Sequence, residues 1–293
     1  MTRVFAFGHS VVDFVYRLDK LPDQGKKYYT HDAYIIGGGC AANAAVAIRK
    51  LNGDVVFGTR VGSDVIGDLI VNDLKSYGLE LSLINRQEGS KSSFSSVAID
   101  SDGERQIINF RGEGLVKDTE WIENAPTADA YLTDTSWPKG AKKVLELARQ
   151  RDIAGIADVE HLTSVENLQA ASHVAFSRQG LEKISQTPDP IEGLKRVKVK
   201  LNSWTCVTDG QNGVYFWDGE RIENIPSYQV KARETLGAGD VWHGAFALRI
   251  AEGSSEADAI QFANAAAALK CQLAGGRSSF PIRQQVDKLL EHL

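Results

Sequence analysis

The residues Gly237, Ala238, Gly239 and Asp240 lie within Glu234-Thr-Leu-Gly-Ala-Gly-Asp-Val-Trp-His-Gly-Ala-Phe246, where a flexible turn ends in a carboxylate and runs into an apolar helix. Glycines let successive backbone N–H groups point one way, and a helix N-terminus adds partial positive charge, so the stretch suits an anion such as a phosphate. A carboxylate beside a bound anion is repulsive unless it has work to do. The work that fits is removal of a proton from an attacking hydroxyl. The same pattern also fits an ordinary glycine turn, with Asp240 in the first helical turn where the helix dipole favours it.

A second glycine run points to a polar ligand. Gly37-Gly-Gly-Cys-Ala-Ala-Asn-Ala-Ala-Val-Ala-Ile48 passes from three glycines into a helix of small residues. Gly38 and Gly39 can present backbone groups to a ligand, and Asn43, one turn into the helix, can bond its hydroxyls. A tightly packed Ala-rich helix preceded by a plain loop is the alternative. The spacing is not G-x-G-x-x-G, and no acidic residue stands at the interval that a Rossmann dehydrogenase needs. Asp13 follows the β-like run Arg3 to Gly8, at the strand end where open α/β sheets keep their ligands. It is a candidate for gripping a polar substrate, or else a residue that caps or turns the chain.

Regular elements must hold these groups. Phe14 to Ile36 alternates apolar and polar residues around Leu21-Pro-Asp-Gln-Gly25, and Ser92 to Phe110 does so around the hairpin signal Ser101-Asp-Gly103. The two pieces, 14–36 and 92–110, are expected to form one small sheet that stands off the main body as a lid. Val55 to Arg60 reads as a strand, and Ser63 or Asp64 caps the helix opened by Gly62-Ser-Asp-Val-Ile-Gly67. Strand and helix units then alternate: Ala130 to Thr133 with Lys139 to Arg151, Ile153 to Ala157, and His173 to Phe176 with Gly180 to Ile184. This predicts a parallel sheet with helices on both faces. Trp204 to Thr208 ends in Asp209-Gly-Gln-Asn-Gly213, a turn whose glycines can admit a nucleotide, and Val214 to Trp217 is its hairpin partner. Helices follow from the Gly237 turn to Ala251 and from Ser255 to Cys271, and a terminal amphipathic helix comes after Pro281. With no repeat and no low-complexity linker, a single domain over 1–293 with an inserted lid is expected.

Composition narrows the class. The 293 residues are 43% hydrophobic, enough for a substantial core, and the net charge of −5 comes without any run of Lys and Arg. A nucleic-acid or anionic-membrane partner is therefore not expected. Cys40, Cys206 and Cys271 are isolated and lack metal-ligand spacing, the first ten residues show no signal-peptide pattern, and no apolar run is long enough to span a membrane. The expectation is a reduced, soluble, cytoplasmic protein.

The Gly38-Gly-x-x-x-Asn43 and Gly237-Ala-Gly-Asp240 elements together resemble, in order and separation, the two signatures of the ribokinase-like (PfkB) carbohydrate kinase family. Asp13, Gly62-x-Asp64-x-x-Gly67, Thr208-x-Gly210-x-x-Gly213 and Ala263-Asn264-Ala265 extend the resemblance over essentially the whole chain. It implies a three-layer α/β/α Rossmann-like domain with a small β-sheet lid, ATP and Mg²⁺, phosphorylation of a sugar hydroxyl, and a homodimer formed through the lid. By position it makes Asp240 the base, with the amides of Gly237, Ala238 and Gly239 steadying the transferring phosphoryl group. Asp13, Gly38, Gly39 and Asn43 would hold sugar hydroxyls, and Thr208, Gly210, Gly213 and Asn264 would lie along the nucleotide. Two departures stand out. Phe176-Ser-Arg-Gln-Gly180, with Glu182 only nearby, replaces the N-x-x-E that organises Mg²⁺ in the family, which leaves the metal ligands unassigned. Glu234-Thr-Leu236 replaces the frequent Asp-Thr-Thr, so a monovalent cation beside the cradle is not implied.

Finer motifs look like the sulfofructose kinase branch: Leu21-Pro, Lys27-Tyr28, Lys91-Ser-Ser93, Gly103-Glu-Arg105, Ile107-Ile-Asn109, Gly140-Ala-Lys-Lys143, and Ala268-Leu-Lys-Cys271 followed by Gly275-Gly-Arg277. In that branch a lysine, an asparagine and an arginine recognise the sulfonate. Lys27 and Asn109 match the first two, but Ser136 stands where the arginine belongs, and a bidentate guanidinium is a strong anion ligand to lose. Either Arg111 or Lys139 supplies the charge from nearby, or the pocket takes a neutral ketose such as fructose and Ser136 bonds a hydroxyl. The reading leans to a fructose-like ketose. A nucleoside kinase would need an apolar slot, for which Phe94, Phe110 and Trp137 are candidates; a non-catalytic sugar-binding protein would have no use for Asp240.

Overall fold

The computed structural model describes residues 1–161 and 163–291. In chain order the elements are β1 (Arg3–Phe7), β2 (Val11–Arg17), β3 (Asp32–Gly38), α1 (Cys40–Lys50), β4 (Asp54–Gly62), α2 (Val65–Ser76), β5 (Glu80–Gln87), β6 (Phe94–Ile99) and β7 (Arg105–Phe110). There follow β8 (Ala130–Asp134), α3 (Pro138–Gln150), β9 (Ala154–Val159), β10 (His173–Ser177), α4 (Arg178–Ser185), α5 (Pro190–Lys198), β11 (Trp204–Thr208), β12 (Val214–Trp217), β13 (Ile222–Ile225), α6 (Ala238–Ala251), α7 (Glu256–Cys271) and α8 (Arg283–Glu291).

Nine strands form one sheet in the order β13-β12-β11-β10-β9-β8-β1-β4-β5. From β5 to β11 every pairing is parallel, while β12 and β13 add an antiparallel edge. Parallel strands must be covered on both sides, and their residues sort accordingly. Val4 and Ala6 of β1 pack into the core beneath α1, α6 and α7, whereas Phe5 and Phe7 point into the opposite core with Val144 and Ala148 of α3. This is a three-layer α/β/α sandwich. On the first side α1 and α6 run close together, because a side chain at Gly244 would collide with the backbone of Ala44. Residues Val241 to Leu248 of α6 are all buried, which explains why this helix is apolar all round.

The second sheet has the order β3-β2-β6-β7, with β2 and β6 parallel and the other two pairs antiparallel. Its hairpin turns at Gly103, which has φ +84°. Register places Asp13, Ser95 and Asn109 side by side across β2, β6 and β7. Asp64 caps α2, accepting from the amide of Gly67 at 2.9 Å, and it also accepts from the Ser92 amide and hydroxyl, so the cap ties α2 to the start of β6.

Three elements lie outside the sequence expectations: β5, α5 and β13. The edge strand β5 carries polar residues at both ends, and α5 is a nine-residue helix announced only by Asp189-Pro190, where Asp189 caps the amides of Ile191 and Glu192.

Candidate active site

A cavity of about 560 Å³ opens where the C-terminal ends of the main strands face the small sheet. Asp13, Gly38, Gly39 and Asn43 line it from one side, and Thr235, Gly237, Gly239 and Asp240 from the other. A second cavity of about 440 Å³ is lined by Thr208, Gly210, Gly213, Ala238, Gly239, Trp242 and Asn264. The two share Thr208, Thr235 and Gly239 as walls.

Three consecutive glycines of the first cavity each make room for a named group. A side chain at Gly37 would collide with the Arg277 guanidinium, one at Gly38 with the Asp13 carboxylate, and one at Gly39 with the carbonyl of His9. Gly39 also has φ +95°, a backbone conformation that favours glycine. Asp134, buried at the end of β8, accepts from the amides of His9, Ala41 and Ser136 at 2.7, 3.1 and 2.9 Å. That carboxylate binds three loops together and so positions the start of α1.

Gly237, in the left-handed region at φ +77°, caps α6. The Ala238 amide donates to Thr235 at 3.1 Å and the Val241 amide to Gly237 at 3.0 Å, which leaves the Gly239 and Asp240 amides without an acceptor among the described residues. No atom lies within 4 Å of a Cβ added at Gly239, so the backbone there is open to a ligand. Free donors at a helix N-terminus form an anion site. Asp240 Oδ2 accepts from Asn43 Nδ2 at 2.7 Å, and Asn43 Oδ1 accepts from Arg277 Nε at 2.8 Å. Arg277 is buried; it also donates to the Gly38 carbonyl at 2.9 Å and pairs with Asp73 of α2.

Desolvation pushes the Asp240 carboxyl up to about 7, Glu160 and Asp134 add to the rise, and the bond from Asn43 and the charge of Arg277 oppose it. Burial likewise raises Asp13, against the pull of Ser95 and Arg277. Behind Asp240, His243 Nδ1 donates to the Gly239 carbonyl at 2.8 Å, and its Nε2 lies 3.4 Å from Asp158 Oδ1. Burial pushes His243 down to about 4 and raises Asp158 well above the usual carboxylate range, with Asp240, Glu160 and Asp134 adding to the rise of Asp158. Cys40 Sγ donates to Glu160 at 2.9 Å, and burial raises that thiol too.

Four expected substrate residues do not line this cavity. Lys27 is exposed in the segment between β2 and β3. Asn109 donates to Ser95 Oγ at 2.9 Å within the small sheet. Ser136 and Arg111 line a separate pocket of about 140 Å³ with His9, Ser10, Arg60 and Trp137. There the Ser136 Oγ is buried without a partner, and Arg60 stacks on Trp137 at 3.8 Å. Asn264 lines the second cavity, but its amide is already used, accepting from Trp242 at 2.8 Å and donating to the carbonyls of Ile225 and Pro226. It holds the cavity wall and has little capacity left for a nucleotide. The proposed aromatic slot is not formed: Phe94 packs on Phe14 and Phe110, while Trp137 stacks with Trp121.

Residue-type reasoning did not single out Arg277, His243, Glu160 or Arg105. Arg277 had a signal in Gly275-Gly-Arg277, an arginine in a glycine loop, but nothing local says it is buried. Arg105 of β7 lines the first cavity and reaches Thr235 Oγ1 at 3.4 Å.

A cavity lined by polar groups, a helix N-terminus with free amides and a buried carboxylate, on a three-layer α/β/α fold, are the parts that phosphoryl transfer to a hydroxyl requires. The chain matches the description "pfkB family carbohydrate kinase" over residues 1–283, and it belongs to that family. It is a carbohydrate kinase. Staphylococcus aureus ribokinase is 24% identical, covering 98% of this chain and 99% of its own. Rice fructokinase-1 is 25% identical over 98% of this chain and 97% of its own. A provisionally assigned ribokinase from Agrobacterium tumefaciens superposes with a TM-score of 0.92 at 30% identity, covering 99% of this chain and 98% of its own.

Proposed function

We propose that the protein transfers the γ-phosphoryl group of ATP to a hydroxyl of a fructose-like ketose. The observation that carries this is Asp240, a carboxylate raised to about 7, which lines a polar cavity next to Gly239, the residue that also borders a more apolar one. The sugar occupies the first cavity, with Asp13, Asn43 and the backbone of Gly38 and Gly39 on its hydroxyls. ATP lies in the second, along Thr208, Gly210 and Gly213, with its γ-phosphoryl group toward the Gly239 and Asp240 amides. Asp240 removes the hydroxyl proton, and the α6 N-terminus balances charge on the phosphoryl group.

ATP carries Mg²⁺, which takes oxygen ligands and retains several waters. Asp158 and Glu160 are the cavity carboxylates suited to such a hydrated ion, and Asp158 Oδ1 has no hydrogen-bond partner. The first turn of α4 has no carboxylate, where the family resemblance places the one that organises Mg²⁺ through water, which leaves Asp158 and Glu160 for that part.

A ketose carrying an anionic group is the second reading. It is favoured by Arg60 and Arg111, which flank the unpartnered Ser136 hydroxyl in the small pocket. Coupled ATP-turnover assays on fructose, fructose 6-phosphate, sulfofructose, 2-keto-3-deoxygluconate, ribose and adenosine distinguish the readings. Turnover on fructose above the others supports the first, sulfofructose the second, and ribose or adenosine alone overturns both.

The protein acts as a homodimer joined through the small sheet. Tyr16, Ile35 and Ile108 share one face of that sheet by register and are all exposed. Sedimentation of the wild type and of Ile108→Asp tests this, with a monomeric wild type as the contrary result. No described helix is long and apolar enough to cross a membrane, and the cytoplasm is the compartment proposed.

A further inference from the structure

Lys270 is the one lysine among the buried residues, with 0% of its surface exposed, and it lies in the last turn of α7 rather than in either cavity. A buried ammonium is costly unless its donors are met, and here all three find acceptors. Nζ donates to Glu234 Oε1 at 3.0 Å, to the Glu234 carbonyl at 3.4 Å and to the Leu273 carbonyl at 3.2 Å. Two of these acceptors are backbone oxygens from loops on opposite sides of the helix end, and the third is a carboxylate. Such a set of converging oxygens ordinarily surrounds a small cation.

The position ties this cluster to the chemistry. Residues 233–236 lead directly into the Gly237 turn, and the amides of Arg233 and Glu234 donate to the Cys271 carbonyl at 2.7 and 3.2 Å. Backbone bonds and the ammonium therefore hold the segment to the end of α7. One residue on, Thr235 accepts from the Ala238 amide at 3.1 Å, the bond that shapes the first turn of α6. On the other side, the Leu273 loop leads to Gly275 and to Arg277, the donor to Asn43. Lys270 thus braces both loops that frame Asp240.

We propose that Lys270 is a built-in cation: its ammonium fills the oxygen cluster beside the phosphoryl cradle, positions the cradle, and makes the enzyme independent of monovalent metal ions. A K⁺ or Na⁺ ion would have to displace a covalently attached ammonium held by three acceptors. Lys270 does not touch the reacting atoms. It is a positioning residue.

The first test uses the wild type and needs no variant. ADP affinity is measured by calorimetry in KCl, NaCl and tetramethylammonium chloride at equal ionic strength, so the result does not depend on which sugar is the substrate. Equal affinity in all three is expected, and affinity that requires K⁺ overturns the proposal. The second test is Lys270→Ala, which empties the cluster. Loss of a charged hydrogen-bonding group should weaken ADP binding and turnover by about 10- to 100-fold, and K⁺ or NH₄⁺ should restore much of it while tetramethylammonium does not. A folded Lys270→Ala protein with wild-type affinity, or one that no small cation rescues, sinks the idea. If this variant does not fold, Lys270→Arg, which keeps the charge in a larger group, should stay cation-independent, and its dependence on K⁺ would overturn the proposal. Should turnover be absent on every sugar tried, the binding measurements still decide the role of Lys270, and the failure falls on the substrate reading alone.

Discussion

Nε of Arg277 donates to Oδ1 of Asn43 at 2.8 Å, and this bond decides which way the Asn43 amide faces. A guanidinium has no acceptor, so Oδ1 must point at Arg277 and Nδ2 must point at Asp240, which it reaches at 2.7 Å. Arg277 and Asn43 both favour the ionised carboxylate, while Glu160, Asp134 and burial oppose it. Removing Arg277 therefore raises Asp240 further. Arg277→Met should lower turnover by about 10- to 100-fold, the scale for a group that orients a catalytic ligand, and move the ascending limb of the pH profile to higher pH. A folded variant with reduced turnover and an unmoved limb would make Arg277 merely structural.

The pH dependence of the wild type follows from the same carboxyl. A base must be ionised to act, so kcat/KM should rise with pH through about 7 rather than near 4. Asp240→Asn should keep ADP binding but lower turnover by about 10²–10⁴-fold. Unchanged turnover removes Asp240 from the mechanism.

Stability gives a separate readout of Asp240. Its folded value of about 7 lies above the reference of 3.8, so between these the folded protein binds more protons than the unfolded chain. Stability from this group is greatest at low pH and falls as pH rises toward 7. Asp240→Asn removes the buried charge and should raise the melting temperature at pH 8, by about 2–4 °C per kcal/mol regained, with a smaller gain at pH 5. Equal melting temperatures at pH 8 would argue that the carboxyl is not raised.

Gly37→Ala provides an indirect version of the Arg277 experiment. The added methyl meets the Arg277 guanidinium and the Asp73 carboxylate, so one of them must move. Turnover should fall in the same direction as for Arg277→Met. Gly25→Ala, with nothing within 4 Å of the new Cβ, is the control and should leave turnover unchanged. Full activity of Gly37→Ala would show that the guanidinium can shift without consequence.

Ser136→Arg tests the small pocket. If it receives one end of the sugar, a third guanidinium beside Arg60 and Arg111 should improve use of sulfofructose relative to fructose. No change in that ratio separates the pocket from substrate choice.

The layer order and both glycine elements were legible because they depend on local rules: strand runs buried on both sides, glycines where a side chain would collide, and small residues where helices cross. The first cavity was also legible at Asp13, Asn43 and Asp240, where chemistry and fold position coincide. Lys27 and Asn109 were not, because sequence motifs do not report where a loop or a sheet edge comes to rest. Arg277 and Lys270 escaped for a related reason. Charged residues are expected outside, and only the folded chain reveals which ones are enclosed and what oxygens enclose them.

Of the three residues that border both cavities, Thr208, Thr235 and Gly239, only Gly239 has no side chain, and it leaves the boundary open at that point. A bisubstrate inhibitor, a ketose mimic joined to adenosine by a chain of phosphates, should therefore thread past this point and occupy both compartments at once. Enlarging residue 239 would close that passage, leaving two small-molecule receptors that can no longer exchange anything.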